Sequence, residues 1–401
     1  MSTTGGRTAT NGRAGLMLAM ATLGFALNFW AWALLSPLAV SFTAALHLSP
    51  FQQSLLVAVP VVVGSLGRIP VGALTDRFGG RVMFPIISLV TSVPVLYLGL
   101  FGHSSLAALL VGGFFLGIAG TAFAVGVPFV SAWFPPERRG FAVGVFGAGM
   151  GGTAISALTT VKLVNAHTTS TPFVITAVVL TVYGVVAALV LRDAPGRVVP
   201  TESLVRRLSG AARLRITWQA AALYAIGFGG YVAFSVYLPT YLKNAYGLTP
   251  ADASNRMAGF VVVAVLMRPV GGWLSDRVRA ASVLTVAFAV VAVGALIQST
   301  TPSLAPLGTI VFLSMAGALG TASGATFALV AQRAPAAKVG SVTGIVGAAG
   351  GLGGFIPPLV MGSVFGRSGD YGTGLLALSA MAVLVLLLAL SIRRTPTPHA
   401  A

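Results

Sequence analysis

Long runs of apolar residues, separated by short polar segments, recur along the whole chain. A helix needs about 20 mostly apolar residues to cross the hydrocarbon of a bilayer, and twelve runs reach that length. They span residues 14–40, 51–73, 82–101, 106–133, 140–163, 172–191, 217–241, 256–275, 281–299, 307–331, 340–365 and 373–391. The pattern predicts an all-α membrane protein with twelve transmembrane helices.

Composition supports this prediction and excludes several other classes of protein. Hydrophobic residues make up 56% of the 401 residues and charged residues only 8%. The mean hydropathy of +0.93 excludes an ordinary soluble domain. The chain has no cysteine, so disulfides and thiol nucleophiles are excluded. The sequence contains no cluster of metal-ligand residues and no phosphate loop between a strand and a helix, so we expect no enzyme activity, metal or cofactor.

The net charge of +17 is distributed unevenly along the chain. If the N-terminus is cytoplasmic, 18 of the 24 basic residues lie in cytoplasmic segments, and three (Lys243, Arg256 and Arg367) lie in outer loops. This bias follows the positive-inside rule and predicts cytoplasmic termini for a protein of the cell (plasma or inner) membrane. It also explains the positive charge without a nucleic-acid partner. We therefore expect the protein to interact with the lipid bilayer and not with nucleic acid.

The two halves of the chain repeat each other with a constant offset of 200 residues. Matched pairs include Gly72/Gly272, Asp76/Asp276, Arg77/Arg277, Gly117/Gly317, Gly144/Gly344, Gly147/Gly347 and Gly151/Gly351. The repeat predicts a cytoplasmic tail (1–13), a six-helix bundle (14–191), a cytoplasmic linker (192–216), a second six-helix bundle (217–392) and a second cytoplasmic tail (393–401). Parallel repeats of this kind are typical of transporters whose site lies between the halves near the midplane. Such a carrier can function as a monomer.

Two arginines, Arg68 and Arg268, occupy matched places inside hydrophobic segments. Each lies eight residues before an aspartate, Asp76 or Asp276, which puts it about 12 Å deeper at 1.5 Å per residue. An arginine near the bilayer centre costs roughly 3 kcal/mol and is a functional candidate. Because its planar fork donates two parallel hydrogen bonds, arginine suits oxyanions. We predict that the pair clamps one anion between the two halves.

Two structural alternatives remain for these arginines. The first is a buried ion pair, which is disfavoured because all seven acidic residues fall in loops or at helix ends. The second is snorkelling of each side chain to an interface.

The repeated Asp-Arg turns carry a family resemblance. The segment Gly72-Ala-Leu-Thr-Asp76-Arg77-Phe-Gly79-Gly80-Arg81 resembles the loop motif of the major facilitator superfamily, and Gly272-Trp-Leu-Ser-Asp276-Arg277 is a weaker copy of it. The resemblance implies that Asp76, Arg77, Asp276 and Arg277 form cytoplasmic latches that hold one conformation. The alternative is a solvated turn that assists topology.

A narrower resemblance is to the nitrate/nitrite porter family within that superfamily. The segments that carry it are 117–123, 133–140, 147–154 and 344–354. By this similarity, Arg68 and Arg268 are the substrate clamps, and four aromatic residues wall the site; these are Phe29, Phe123, Tyr224 and Phe228. The family usually has an asparagine after Gly-Ala-Gly, whereas this chain has Met150, so its specificity can differ from that of relatives.

Glycines on the fifth and eleventh predicted helices recur at intervals of three or four residues. They are Gly144, Gly147, Gly151, Gly344, Gly347 and Gly351. Small residues at this spacing let helices approach closely and slide, which a transporter needs where its halves rock against each other. Tight static packing would select the same residues.

The predicted function is alternating-access transport of a small inorganic anion, with nitrate, nitrite or both as substrate. We favour nitrate/nitrite exchange because no carboxylate or histidine falls inside a span, whereas proton-coupled carriers commonly have one. Two alternatives keep the fold. One is a proton-coupled symporter of nitrate, cyanate or a short carboxylate, with a loop acid such as Glu137 carrying the coupling. The other is a multidrug exporter.

Overall fold

The computed structural model describes residues 4–195, 197, 202–335 and 338–394. Within them, twelve helical segments are long and apolar enough to cross a membrane. In chain order they are α1 (Gly12–Leu46), α2 (Pro50–Phe78), α3 (Gly80–Gly102), α4 (Leu106–Trp133), α5 (Ala142–Ala166), α6 (Thr171–Val190), α7 (Arg215–Tyr246), α8 (Pro250–Arg277), α9 (Ala280–Gln298), α10 (Leu304–Arg333), α11 (Ser341–Ser368) and α12 (Gly372–Arg394). The predicted twelve-helix membrane architecture is confirmed.

Helix ends differ from the predicted spans in an understandable way. Before the membrane span α1, the helix already begins at Thr4, within the segment predicted as an N-terminal tail. Helix α2 continues to Phe78, past the predicted end at residue 73. Hydropathy marks only the part of a helix that lies in hydrocarbon. Polar turns beyond that part extend the helix without changing the apolar signal.

The repeat is visible in individual contacts between atoms. Near the end of α4, Trp133 donates from Nε1 to the carbonyl of Arg192 at 3.2 Å. In the second half, Arg333 donates to the carbonyl of Ile392 at 2.9 Å. The two contacts are equivalent in the repeat: Trp133 and Arg333 are 200 residues apart in the sequence, and so are Arg192 and Ile392. The chain thus folds as two matched six-helix bundles, as the repeat predicts.

Among the described residues, four helices of the first bundle are interrupted at places where the matching helices of the second bundle are continuous. The interruptions are a turn at residues 33–34, a break at Gly67, and two 3₁₀ turns, Gly117–Thr121 and Ala148–Gly151. The corresponding second-bundle helices are continuous: Arg215–Tyr246, Pro250–Arg277, Thr309–Arg333 and Val339–Ser368. Next to the break at Gly67, Pro70 has no N–H to donate to the carbonyl of Leu66, so one helical hydrogen bond is missing there.

The end of the molecule opposite the linker, here called the far side, is closed by contacts between the bundles. Ser36 donates to the carbonyl of Val236 at 2.6 Å, and these positions are also 200 residues apart. Gln53 donates to the Thr240 hydroxyl at 3.3 Å. A Cβ at Gly366 would lie 3.7 Å from the Cβ of Pro50. Helices α2 and α11 therefore meet closely at this end.

The opposite end, here called the linker side, carries a short helix between the bundles, the linker helix (Leu204–Ala212). Arg207 on this helix forms a 2.7 Å salt bridge with Asp76 at the end of α2. Lys338, just before α11, donates to the carbonyl of Gly210 at 3.3 Å. The linker helix thus contacts both bundles. Among described residues, a Cβ at Gly72 or Gly272 would have no heavy atom within 4 Å.

These contacts predict which end can be cross-linked. The chain has no native cysteine, so only the introduced thiols can form a disulfide or react with a maleimide. The pair Pro50→Cys and Gly366→Cys should form a disulfide on mild oxidation, because its Cβ separation of 3.7 Å is close to the usual value of about 3.8 Å. Loss of maleimide labelling measures the reaction.

The control is the linker-side pair Gly72→Cys and Gly272→Cys, which should keep both thiols free. Faster oxidation of this pair than of the far-side pair would contradict the closed far side.

Candidate functional site

Arg68 begins the second segment of α2, immediately after the break at Gly67, and its side chain is buried. Its Nε donates to the carbonyl of Gly120 at 3.3 Å, and its Nη1 donates to the carbonyl of Gly347 at 2.9 Å. The first acceptor lies in the 3₁₀ turn of α4 and the second on α11. Arg68 therefore joins the two bundles through backbone carbonyls.

Arg268 lies on α8, before Pro269, and is buried to the same extent as Arg68. Its Nη2 donates to the hydroxyl of Tyr224 at 3.0 Å. Its Nη1 contacts the sulfur of Met150 in the 3₁₀ turn of α5. A thioether is a weak acceptor, so the Tyr224 hydroxyl is the stronger of these two partners. The Met150 contact joins the two bundles a second time.

The rings of Phe123 and Phe228 lie against both guanidinium groups. The Arg68 Cζ is 5.3 Å from the Phe123 ring centre and 5.6 Å from that of Phe228. The corresponding distances for Arg268 are 5.7 Å and 5.5 Å. The two Cζ atoms are thus at most 11.0 Å apart, the sum of their distances to the Phe123 ring. Each bundle contributes one arginine and one ring.

The charge of this site is not neutralised within the described part of the chain. Arg68 and Arg268 are the only charged side chains among the buried described residues. Their contacts are carbonyls, a hydroxyl, a thioether and ring faces, all of which are neutral. At an effective dielectric of about 20, two unit charges 11 Å apart repel by roughly 1.5 kcal/mol, and more if they are closer. The two guanidinium groups therefore repel each other, and no buried carboxylate among the described residues offsets that repulsion.

Tyr224 and Phe29, both predicted to wall the site, lie at different distances from the arginines. Tyr224 bonds to Arg268 and stacks on Phe228 with ring centres 4.9 Å apart. Phe29 packs on Phe25 at 4.4 Å, and the Phe25 ring in turn lies 5.8 Å from Phe123. Phe29 is thus connected to Phe123 through the ring of Phe25, which packs on both.

Four of the six predicted glycines face the opposite bundle closely. A Cβ at Gly147 would lie 3.7 Å from Nε of Arg268, and one at Gly347 would lie 3.9 Å from the Phe123 ring. A Cβ at Gly144 would lie 3.9 Å from Pro269, and one at Gly351 would overlap Ser65 of α2.

The other two glycines, Gly151 and Gly344, are less crowded. A Cβ at either position would have no described heavy atom within 4 Å. Gly347 has a second role that its spacing did not reveal, because its carbonyl accepts the hydrogen bond from Arg68.

The four predicted latch residues have different surroundings. Asp76 is paired with Arg207, while Arg197 donates to the carbonyls of Asp76 and Arg77 at 2.8 Å. In the second half, Arg277 lies 4.0 Å above the ring of Trp273 and Asp276 is exposed. In this conformation the first-half turn is thus engaged by the linker. The side chain of Glu137, the loop acid considered for proton coupling, lies outside the described residues.

Sequence patterns missed several residues around the site. Thr153 lies within hydrogen-bonding distance of Tyr231, 3.2 Å between hydroxyl oxygens, and accordingly joins α5 to α7. Phe327 packs edge-on against Tyr224 at 4.7 Å. The carbonyl of Gly120 was also missed. Only the position of Thr153, one turn after Met150 on a glycine-rich helix, offered a signal in the sequence.

Comparison with known families identifies this architecture. The family model described as Major Facilitator Superfamily matches residues 21–358 and 220–401, which together cover most of the chain. The chain belongs to the major facilitator superfamily. The relatives and the fold of this superfamily are those of membrane transporters rather than enzymes.

Similar superfamily members include curated proteins with informative names. The chain is 48% identical over 368 residues to the "Probable nitrate/nitrite transporter NarK2" of Mycobacterium tuberculosis, covering 91% of this chain and 93% of that protein. It is 36% identical to the "Nitrite extrusion protein" of Bacillus subtilis, with 92% of each chain covered. It is 34% identical to the "Probable nitrate/nitrite antiporter NarK1" of Thermus thermophilus, covering 69% of this chain and 64% of that one.

Among solved structures, the fold resembles that of a bacterial transporter homolog. The structure is that of a bacterial homolog to the human lysosomal transporter Spinster in an inward-facing and occupied conformation, with a TM-score of 0.74. It is 17% identical in sequence, and the match covers 95% of this chain and 97% of that one. At this identity the match shows the shared fold.

The packing around Tyr224 leads to a prediction about the site. A Cβ at Gly350 would lie 2.2 Å from Cδ1 and 2.5 Å from Cε1 of Tyr224. The Gly350→Ala variant should displace this ring and disturb its bond to Arg268. Overpacking of this kind typically costs about 1–3 kcal/mol. We expect a lower melting temperature and weaker anion binding in the purified protein.

Gly344→Ala, on the same helix, is the matched control. Its Cβ has open space, and alanine is a better helix former than glycine by about 1 kcal/mol. This variant should be unchanged or slightly more stable. Equal losses in the two variants would show that Tyr224 packing is not the cause.

Proposed function

We propose that this chain is an alternating-access carrier that exchanges nitrate and nitrite across the plasma membrane. The observation that carries the proposal is the pair of buried arginines, one from each bundle, in contact with the same two phenylalanine rings. The names of the similar nitrate and nitrite transporters support this choice of substrate. In the proposal, Arg68 and Arg268 clamp one anion between them.

Electrostatics favours a monovalent anion at this place. At an effective dielectric of about 20, a negative charge some 5.5 Å from each guanidinium gains roughly 3 kcal/mol from each attraction. The combined gain exceeds the repulsion between the arginines. Because the guanidinium donors can bond two oxygens in one plane, and because Phe123 and Phe228 offer flat surfaces, the site favours planar oxyanions over tetrahedral ones.

The same charges favour exchange over net uptake. An empty site must hold two positive charges without a counter-ion while the bundles move, and a bound anion relieves this cost. Movement should therefore be fast when nitrate or nitrite is bound and slow when the site is empty. The similarity to a protein named as a nitrate/nitrite antiporter agrees with this mode.

Alternating access also fits the arrangement of the contacts. In the proposal the linker side, with both termini, is cytoplasmic, as the distribution of basic residues favours. With the far side closed, substrate would enter or leave through the cytoplasmic end. Opening outward then requires the bonds of Ser36 and Gln53 to the second bundle to break. One chain contains the whole site, so we propose that a monomer is sufficient.

The test is uptake of labelled nitrate into proteoliposomes that contain the purified protein. We expect rapid uptake when the vesicles are loaded with nitrite and at least about tenfold slower uptake when they are loaded with an impermeant buffer, because the empty site resists the return movement. Vesicles without protein are the control.

Two results would contradict exchange. Equal uptake without internal nitrite, abolished when a proton gradient is collapsed, would indicate proton-coupled symport. Absence of nitrate flux under both conditions would contradict nitrate as the substrate and make Met150 the first residue to examine.

A further inference from the structure

The junction between the linker helix and α7 carries an exposed cluster of two arginines and a tryptophan, Arg213, Arg215 and Trp218. Both arginines are exposed, and the Trp218 side chain is 60% exposed. The indole is nevertheless held in place, because its Nε1 donates to the carbonyl of Ala212 at 2.8 Å. The indole is therefore both exposed and fixed in orientation, so we ask which molecules surround it.

The linker helix is oriented by contacts on its inner face. Arg207 binds Asp76, Ala211 is fully buried, and Thr217 donates to the Ala211 carbonyl at 2.7 Å. Arg206 lies on the linker helix, and Arg213 is the residue directly after its end. Both are exposed. The docked helix and the residue after it therefore leave two positive charges exposed.

These charges are uncompensated within the described part of the chain. The two salt bridges found there join Arg207 to Asp76 and Arg197 to Asp193. They use the nearby carboxylates Asp76 and Asp193. Arg206, Arg213 and Arg215 have no carboxylate partner among the described residues.

The position of Trp218 places the cluster at the membrane boundary. Helix α7 begins at Arg215 and has 32 residues, which is about 48 Å of helix against roughly 30 Å of hydrocarbon. Its first turn thus extends to the headgroup region. Tryptophan is enriched at this depth because one end of the indole is apolar and the other polar. Arg213 and Arg215 precede it closely in the chain, and guanidinium groups can bind the phosphate of a lipid headgroup.

We propose that Arg213, Arg215 and Trp218 form a binding site for the headgroup of an anionic phospholipid in the linker-side leaflet. The phosphate would lie between the two guanidinium groups, with Trp218 against the acyl–glycerol region. The bound lipid would hold the linker helix at the membrane surface. This site is separate from the central anion site.

The test is native mass spectrometry of the purified full-length protein in detergent, titrated with phosphatidylglycerol or phosphatidylcholine. We expect preferential binding of phosphatidylglycerol. The Arg213→Gln/Arg215→Gln variant should lose at least about tenfold in phosphatidylglycerol affinity, since each basic residue near an anionic surface contributes roughly fivefold. Arg213→Lys/Arg215→Lys should retain most of the binding, and its melting temperature serves as the folding check.

The matched control is Arg279→Gln/Arg394→Gln, which removes two exposed arginines from the same side of the protein. This variant should bind phosphatidylglycerol as the unmodified chain does. Equal losses in the two glutamine variants would overturn the site, because they would indicate general surface charge. Unchanged affinity in Arg213→Gln/Arg215→Gln, or equal binding of the two lipids, would overturn it as well.

Discussion

Two positive charges inside a membrane protein, without a buried carboxylate among the described residues, are the constraint on which the rest of this structure depends. Arg68 and Arg268 are each bonded to neutral groups that arrive from both bundles. These contacts lower the cost of burial without removing the charge. The repulsion between the two arginines is therefore tolerable but unfavourable, and in the proposed function a bound anion relieves it.

Both the local backbone and the interface between the bundles serve this arrangement. The 3₁₀ turns of α4 and α5 bring the Gly120 carbonyl and the Met150 sulfur to the arginines. Glycines at 147 and 347 let the arginine of one bundle approach the backbone of the other. Because the two bundles share these contacts, a movement of one bundle against the other would break them. In the proposed function, this is how movement is coupled to occupancy of the site.

Much of this architecture could be predicted from the sequence, because hydropathy, a 200-residue repeat and a charged residue in an apolar run are local signals. The position of Arg68 and Arg268 belongs to that group. Other features depend on packing that no local pattern encodes. Phe29 and Phe123 look alike in the sequence, yet only Phe123 lies against the guanidinium groups. The Arg207–Asp76 salt bridge joins residues 131 positions apart, and nothing in the sequence around either residue indicates its partner.

Counting bound nitrate by isothermal titration calorimetry of the purified protein tests most directly whether the two arginines form one site. We expect one nitrate per chain, with affinity reduced at least about tenfold in Arg68→Lys and in Arg268→Lys, because lysine lacks the planar fork. Arg279→Lys, at an exposed position, should bind normally. A stoichiometry of two nitrates per chain would contradict a shared clamp. So would one nitrate bound with undiminished affinity in each single variant.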